Sequence, residues 1–94
     1  MKIKIPNQTE IINHYGVDNQ LGIHMEECSE LIQAISKCHR YNNAESRDHL
    51  IEEIADVIIC IDQLKTIFNI SNDDIQRVVN KKYARQINRL NNDK

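Results

Sequence analysis

The sequence predicts an all-α fold with three long helices and one short N-terminal helix. Only two Gly and one Pro occur in 94 residues, which argues against many short strands joined by turns. Three segments repeat apolar residues at intervals of three and four, the period of an α-helix. With 40% hydrophobic residues, one Phe and no Trp, the core must be aliphatic, and so short a chain buries only a thin core. We therefore expect one domain over residues 1–94, a helical bundle that is completed by oligomerisation.

Residues 1–17 are predicted to form an N-terminal arm and a short helix. Residues 2–5 alternate polar and apolar side chains before a proline, which is typical of a short extended segment. Thr9 is a suitable cap for a helix over residues 10–15, and Gly16 is expected to end it.

The first long helix is predicted over residues 18–40, with Asp18 at its N-cap. At about 100° per residue, Glu27 lies at the border of the apolar stripe with Glu30 beside it, whereas Glu26 turns further towards solvent. The stripe consists of Leu21, Met25, Cys28, Leu31, Ile32, Ile35 and Cys38.

A connection over residues 41–45 is expected to turn the chain back antiparallel. The second long helix is then predicted over residues 46–68, with Ser46 as its cap. Apolar residues cover nearly its whole circumference, so this helix should be central.

Glu53 and Asp56 lie in this apolar sequence and should be at least partly buried. Burying two unpaired negative charges costs several kcal/mol each, so they need a cation or a raised pKa.

The third long helix is predicted over residues 71–90, with Ser71 at its cap and acidic residues in its first turn. Its apolar stripe is formed by Ile75, Val78, Val79, Tyr83, Ile87 and Leu90. Its second half contains four positively charged residues: Lys81, Lys82, Arg85 and Arg89.

Composition narrows the class of function. The formal net charge of -2 provides no global basic field, so no nucleic-acid partner is expected. No apolar run approaches the roughly 20 residues that span a bilayer, and no signal peptide is recognisable, so we expect a cytoplasmic protein without a membrane partner. Cys28, Cys38 and Cys60 lack the paired spacing of zinc ligands and are expected to be buried free thiols.

Two acidic patches are the strongest functional signal: Glu26, Glu27 and Glu30 in the first, Glu53 and Asp56 in the second. Carboxylates three residues apart share one face of a helix, so two antiparallel helices can direct two such pairs at one point. Four carboxylates there form an oxygen-rich site for a hard divalent cation. Mg²⁺ fits best, with Mn²⁺ as a substitute. The alternative is an ordinary solvated helix face.

Histidine adds little to this metal hypothesis. A carboxylate-bridged di-iron bundle needs Glu-x-x-His pairs, and none of the four His has Glu three residues before it. His24, one turn before Glu27, either orients a ligand or water or is a surface or packing residue, and the second role is favoured.

The acidic residues also carry a family resemblance. Glu26-Glu27-x-x-Glu30, a gap of 22 residues and Glu53-x-x-Asp56 resemble the EExxE and ExxD signature of the all-α nucleoside triphosphate pyrophosphohydrolases, the MazG-like superfamily. The order, the gap and the helical context all agree with that signature.

A third motif extends the likeness. Asn80-x-Lys82-Tyr83-x-Arg85 resembles the N-x-K-F/Y-x-R segment of that superfamily, so the resemblance covers about residues 21–90. It implies Mg²⁺-dependent hydrolysis of a nucleoside triphosphate to the monophosphate and pyrophosphate, by a dimer or tetramer. The base that is preferred stays undetermined, because no Trp or other matching aromatic residue is present.

The resemblance also implies roles for the acidic residues. Glu27, Glu30, Glu53 and Asp56 would be metal ligands, while Glu26 and Glu27 would hold or deprotonate the attacking water.

Further residues would contact the triphosphate. Asn80, Lys82 and Arg85 carry the resemblance to that role, although Lys82 and Arg85 are also ordinary charges for a helix C-terminal half. Lys37 either pairs with Glu30, reaches phosphate or is simply an exposed lysine. A second class of function remains open: a noncatalytic helical oligomer that binds nucleotide or a protein partner and has a structural metal site.

Overall fold

The computed structural model describes residues 3–93, which form four helices and no strand within that range. In chain order they are α1 (Thr9–Tyr15), α2 (Val17–Arg40), α3 (Ala44–Ile67) and α4 (Asn72–Asp93). The predicted all-α class is confirmed. None of these helices is long and apolar enough to cross a membrane.

The arm before α1 has no regular secondary structure over residues 3–8. The predicted extended segment includes Lys2, which lies outside the described residues. Ile3 and Ile5 line shallow cavities against α3, beside Ile58. The arm therefore follows the surface of α3 and covers part of its apolar face.

Three of the predicted caps are wrong, namely those at Thr9, Asp18 and Ser46. α1 begins at Thr9, whose backbone N–H donates to the Asn7 side chain at 2.8 Å, so the prediction of Thr9 as a cap is wrong. α2 follows directly on Gly16, so Asp18 lies inside the helix and is not its cap. Gly16 ends α1 at φ 87°, a backbone conformation that glycine adopts without steric cost.

α3 begins earlier than predicted because Asn43, and not Ser46, is its cap. The Ser46 N–H donates to Asn43 Oδ1 at 2.9 Å, and the Asn43 N–H donates to Ser46 Oγ at 3.2 Å. This reciprocal pair is a capping box, and it makes Ser46 the third helical residue. The predicted cap at Ser71 is confirmed, because its Oγ accepts the Asp74 N–H at 3.0 Å.

α2 and α3 form an antiparallel pair, and α1 packs against both of them. The buried apolar residues of this three-helix unit are few: Ile12 from α1, Ala34 from α2 and Cys60 from α3. Four polar side chains are buried as well, namely Gln20, His24, Glu53 and Gln63. The seam between α2 and α3 is therefore unusually polar for so small a core.

The prediction that α3 is central does not hold within one chain. One face of this helix is open to solvent, and Ile51 is 62% exposed. The reason is that α4 contacts none of the other helices. α4 leaves the bundle after Asn69, a non-glycine residue at φ 52°.

α4 is an amphipathic helix without a buried residue. Its whole predicted apolar stripe is exposed. The chain extends over 52 × 36 × 23 Å, and its radius of gyration of 16.3 Å exceeds the value of about 12 Å for a compact domain of this length. A single chain thus leaves the apolar stripe of α4 and part of the apolar face of α3 uncovered.

Candidate metal centre

Three of the predicted acidic residues meet across the seam between α2 and α3. Glu27, Glu30 and Glu53 each offer a carboxylate oxygen, and these oxygens all lie within 4.8 Å of one another. The short connection makes the helices antiparallel, and the spacing of three residues puts Glu27 and Glu30 on one face of α2. We refer to these three residues together with Asp56 as the acidic cluster.

Burial in the cluster is graded. Glu53 is only 6% exposed, Glu27 is half-buried and Glu30 is exposed. The Oε2 atoms of Glu27 and Glu53 are both buried and lack a hydrogen-bond partner. A buried oxygen without a partner is costly, and a hard cation would supply what both atoms lack. The residues present therefore fit a divalent metal ion.

Asp56 joins this group through Glu27. The pKa of Glu27 is raised to about 7. Burial is the largest cause, the nearby Asp56 carboxylate is the next, and Glu30 and Glu53 have smaller effects. Asp56 therefore lies near Glu27, but it is not one of the three residues whose oxygens lie within 4.8 Å of one another.

Positive side chains do not neutralise the cluster. The ion pairs found in residues 3–93 join Lys65 to Asp62 and Arg77 to Asp74, and neither reaches the acidic cluster. Lys37 is exposed and forms no ion pair with Glu30, so of its three expected roles a phosphate contact or that of an ordinary exposed lysine is left. The negative charge of the cluster consequently has no protein counterion within the described chain.

Lys37 instead lines an open cavity of about 830 Å³ at the turn between α2 and α3. Tyr41 and His49 also line this cavity, and the Arg40 guanidinium lies 5.9 Å from the centre of the Tyr41 ring. Glu26 is exposed on α2, where solvent reaches it.

The predicted phosphate-binding residues do not lie beside these acids within one chain. Asn80, Lys82 and Arg85 are all exposed on α4, which contacts neither α2 nor α3. The Asn80 Oδ1 accepts a hydrogen bond from Gln76 Nε2 at 2.9 Å on the same helix.

The cysteines differ in their surroundings. Cys60 is buried next to the cluster, and burial, followed by the Glu27 charge, raises the pKa of its thiol to about 11. Cys28 is exposed, so its predicted burial is wrong, and Cys38 is half-buried. All three are free thiols.

A hydrogen-bonded network that the sequence did not predict lies along the seam next to the cluster. Gln63 Oε1 accepts from Gln20 Nε2 at 2.9 Å and from His24 Nε2 at 2.7 Å. Gln63 Nε2 donates to Gln8 Oε1 at 3.0 Å. His24 is therefore a packing residue, as favoured, but its packing is polar. The available signal was the occurrence of Gln20, His24 and Gln63 at helical spacing on faces that are otherwise apolar.

The fold and this centre define a class: an all-α protein with carboxylates from two antiparallel helices that are suited to a divalent cation. The chain belongs to a family of that class, since the model of the MazG nucleotide pyrophosphohydrolase domain matches residues 18–90. The resemblance found in the sequence is thereby confirmed. A comparison with curated proteins found no match. A comparison with solved structures found none either.

Proposed function

We propose that this protein hydrolyses nucleoside triphosphates to the monophosphate and pyrophosphate, with Mg²⁺ bound at the acidic cluster and with Mn²⁺ as a substitute. Two observations carry the proposal: the Oε2 atoms of Glu27 and Glu53 are buried without a hydrogen-bond partner, and Glu27, Glu30 and Glu53 each offer a carboxylate oxygen within 4.8 Å of the others. Membership of the MazG family supports a nucleotide substrate. A cytoplasmic role in housecleaning the nucleotide pool would agree with this chemistry.

Roles for the acidic side chains follow from their burial. Glu27, Glu30, Glu53 and Asp56 would hold the cation, which when bound supplies positive charge to the phosphate oxygens and lowers the pKa of a water. Glu53 is the least exposed and would fix the position of the ion. Glu26 is solvent-exposed and would accept the proton that the attacking water loses.

We further propose that the active form is a homo-oligomer, a dimer or a tetramer. The uncovered stripe of α4 and the open face of α3 are apolar surfaces that a second copy would bury. The same association would bring Lys82 and Arg85 of one copy towards the acids of another. These cations, together with Asn80, would contact the triphosphate, and Lys37 would approach it from the cavity at the turn between α2 and α3.

Mass measurement in solution tests the oligomer. Val78→Asp places a charge in the stripe of α4 and should lower the mass measured by light scattering, whereas Asn88→Asp, on the opposite face of the same helix, should not. An unchanged mass for the Val78 variant would remove α4 from the interface.

One observation favours a different function. Asn80, Lys82 and Arg85 stand apart from the acids in a single chain, which would suit a noncatalytic helical protein that binds nucleotide or a protein partner and has a structural metal site. That alternative predicts cation binding without turnover.

A panel of triphosphates distinguishes the two functions. Incubation with Mg²⁺ should release pyrophosphate from at least one triphosphate, and chelation of Mg²⁺ by EDTA should stop the release. A protein that binds Mg²⁺ but turns over no member of the panel would support the noncatalytic alternative.

A further inference from the structure

The buried seam between α2 and α3 contains few apolar side chains that could define how the helices align. Ala34 and Cys60 are the buried apolar residues that these two helices contribute in the described chain. Apolar contacts have no preferred direction. So few of them offer little resistance when one helix slides along the other. Another set of contacts must therefore hold the axial register of the pair.

The network of Gln20, His24 and Gln63 has the necessary direction. These side chains are 5%, 4% and 4% exposed, so their polar atoms depend on protein partners, and of these atoms His24 Nδ1 is buried without one. Gln63 on α3 receives two hydrogen bonds from α2, at 2.9 and 2.7 Å, and they use both lone pairs of its Oε1. A shift of either helix by one residue would break both bonds and leave buried donors unpaired.

The network and the acidic cluster occupy neighbouring parts of the same seam. His24 comes three residues before Glu27, one turn along α2, and Gln63 comes seven residues after Asp56, two turns along α3. Because the helices are antiparallel, these displacements run in the same direction. The register held by the network is hence the one in which Glu27 faces Glu53.

The cluster itself opposes that register before a cation binds. Its carboxylates have no protein counterion among the described residues, and like charges at such distances repel each other. A restraint outside the cluster is needed to keep the oxygens together. The neighbouring hydrogen bonds supply it without touching the ion.

We propose that Gln63, with Gln20 and His24, is a positioning network that holds α2 and α3 in register and so preorganises the carboxylates for a divalent cation. The inference rests on the metal centre of the proposed function. It assigns these residues no contact with the substrate. Gln8 also bonds to Gln63, but from the arm before α1, so it has no part in the register of α2 against α3.

Cation affinity measured without nucleotide tests this role. Mn²⁺ is titrated into the native protein and into Gln63→Leu by calorimetry, and helix content and thermal unfolding are recorded without metal. Gln63→Leu should keep its helices and lose about tenfold in Mn²⁺ affinity, the lower end of what outer-shell changes cost.

Two control variants separate positioning from general stability. Gln8→Leu removes the bond to the arm and should change the Tm while leaving the Mn²⁺ affinity within about twofold of native. Gln33→Leu, on the exposed surface of α2, should change neither. Equal affinities of the native protein and Gln63→Leu, or equal losses in Gln63→Leu and Gln8→Leu, would overturn the inference.

A second variant covers a failure of Gln63→Leu to fold. Gln20→Leu removes one donor and leaves His24 bonded to Gln63. It should lower the Mn²⁺ affinity by a smaller factor than Gln63→Leu does, and native affinity in this variant would overturn the inference.

Failure of the proposed function has a different signature. A native protein that binds no Mn²⁺ overturns the metal centre and this inference together, whereas one that binds Mn²⁺ without turnover leaves the positioning network tested on its own.

Discussion

Replacing Glu53 by Gln should stabilise the metal-free protein and remove its response to Mg²⁺. Glu53 is 6% exposed, and its oxygen lies within 4.8 Å of oxygens from Glu27 and Glu30. Two unit charges at that distance repel by about 3 kcal/mol at an effective dielectric constant of about 20. Solvent at the exposed Glu30 screens part of this repulsion, so we expect a net gain of about 1 kcal/mol.

Such a gain corresponds to a rise in Tm of about 4–8 °C for a domain of this size. Mg²⁺ should reverse the order of the two proteins. At about one hundred times its Kd, a ligand adds about 2.7 kcal/mol to the stability of the native protein. Glu53→Gln has lost a buried ligand and should gain much less, so native protein should melt higher in Mg²⁺ and lower in EDTA.

The assay is thermal unfolding followed by circular dichroism, at about pH 8, where Glu27 is ionised. Ionic strength is matched with NaCl and protein concentration is kept constant, because an oligomer melts in a concentration-dependent way. Glu52→Gln is the matched control, since Glu52 is the exposed neighbour of Glu53 on α3. Loss of stability in metal-free Glu53→Gln, or a full Mg²⁺ response in it, would refute the electrostatic reasoning.

Two further predictions concern the apo protein. Burial and then Asp56 raise the pKa of Glu27 from 4.5 to about 7, so the folded state binds this proton more tightly than the unfolded chain does. The stability that the bound proton contributes is therefore complete below about pH 4.5 and is lost as the pH rises to about 7. Glu27→Gln should flatten that decline in Tm measured in EDTA, and an unchanged pH profile would contradict the shift. Asn43→Ala removes the capping box of α3 and should cost about 1 kcal/mol in urea unfolding, whereas exposed Asn42→Ala should cost little; equal losses would argue against the cap.

Local periodicity explains why the acidic cluster was predictable. Residues three apart share a helix face whatever the rest of the fold does, and a short connection leaves antiparallel packing as the simplest arrangement. Glu27, Glu30 and Glu53 therefore meet as their spacing predicts. The caps were less predictable, since Asn43 and Ser46 are both good capping residues and only the hydrogen bonds distinguish them.

The sequence does not indicate how the helices are placed against one another. The stripe of α4 indicates which of its faces is apolar, but it does not indicate which surface that face will cover. Apolar periodicity does not indicate Gln20 or Gln63, because amide side chains do not contribute to it. Their burial becomes evident only when α2 and α3 are brought together and each amide finds its partner.

The products released from a nucleoside triphosphate by native protein, Glu53→Gln and Glu52→Gln test the central claim most directly. With Mg²⁺, native protein and Glu52→Gln should release monophosphate and pyrophosphate in equal amounts, and Glu53→Gln should release neither at a measurable rate. Release of orthophosphate and diphosphate by native protein, or full turnover by Glu53→Gln, would contradict a pyrophosphohydrolase centred on the acidic cluster.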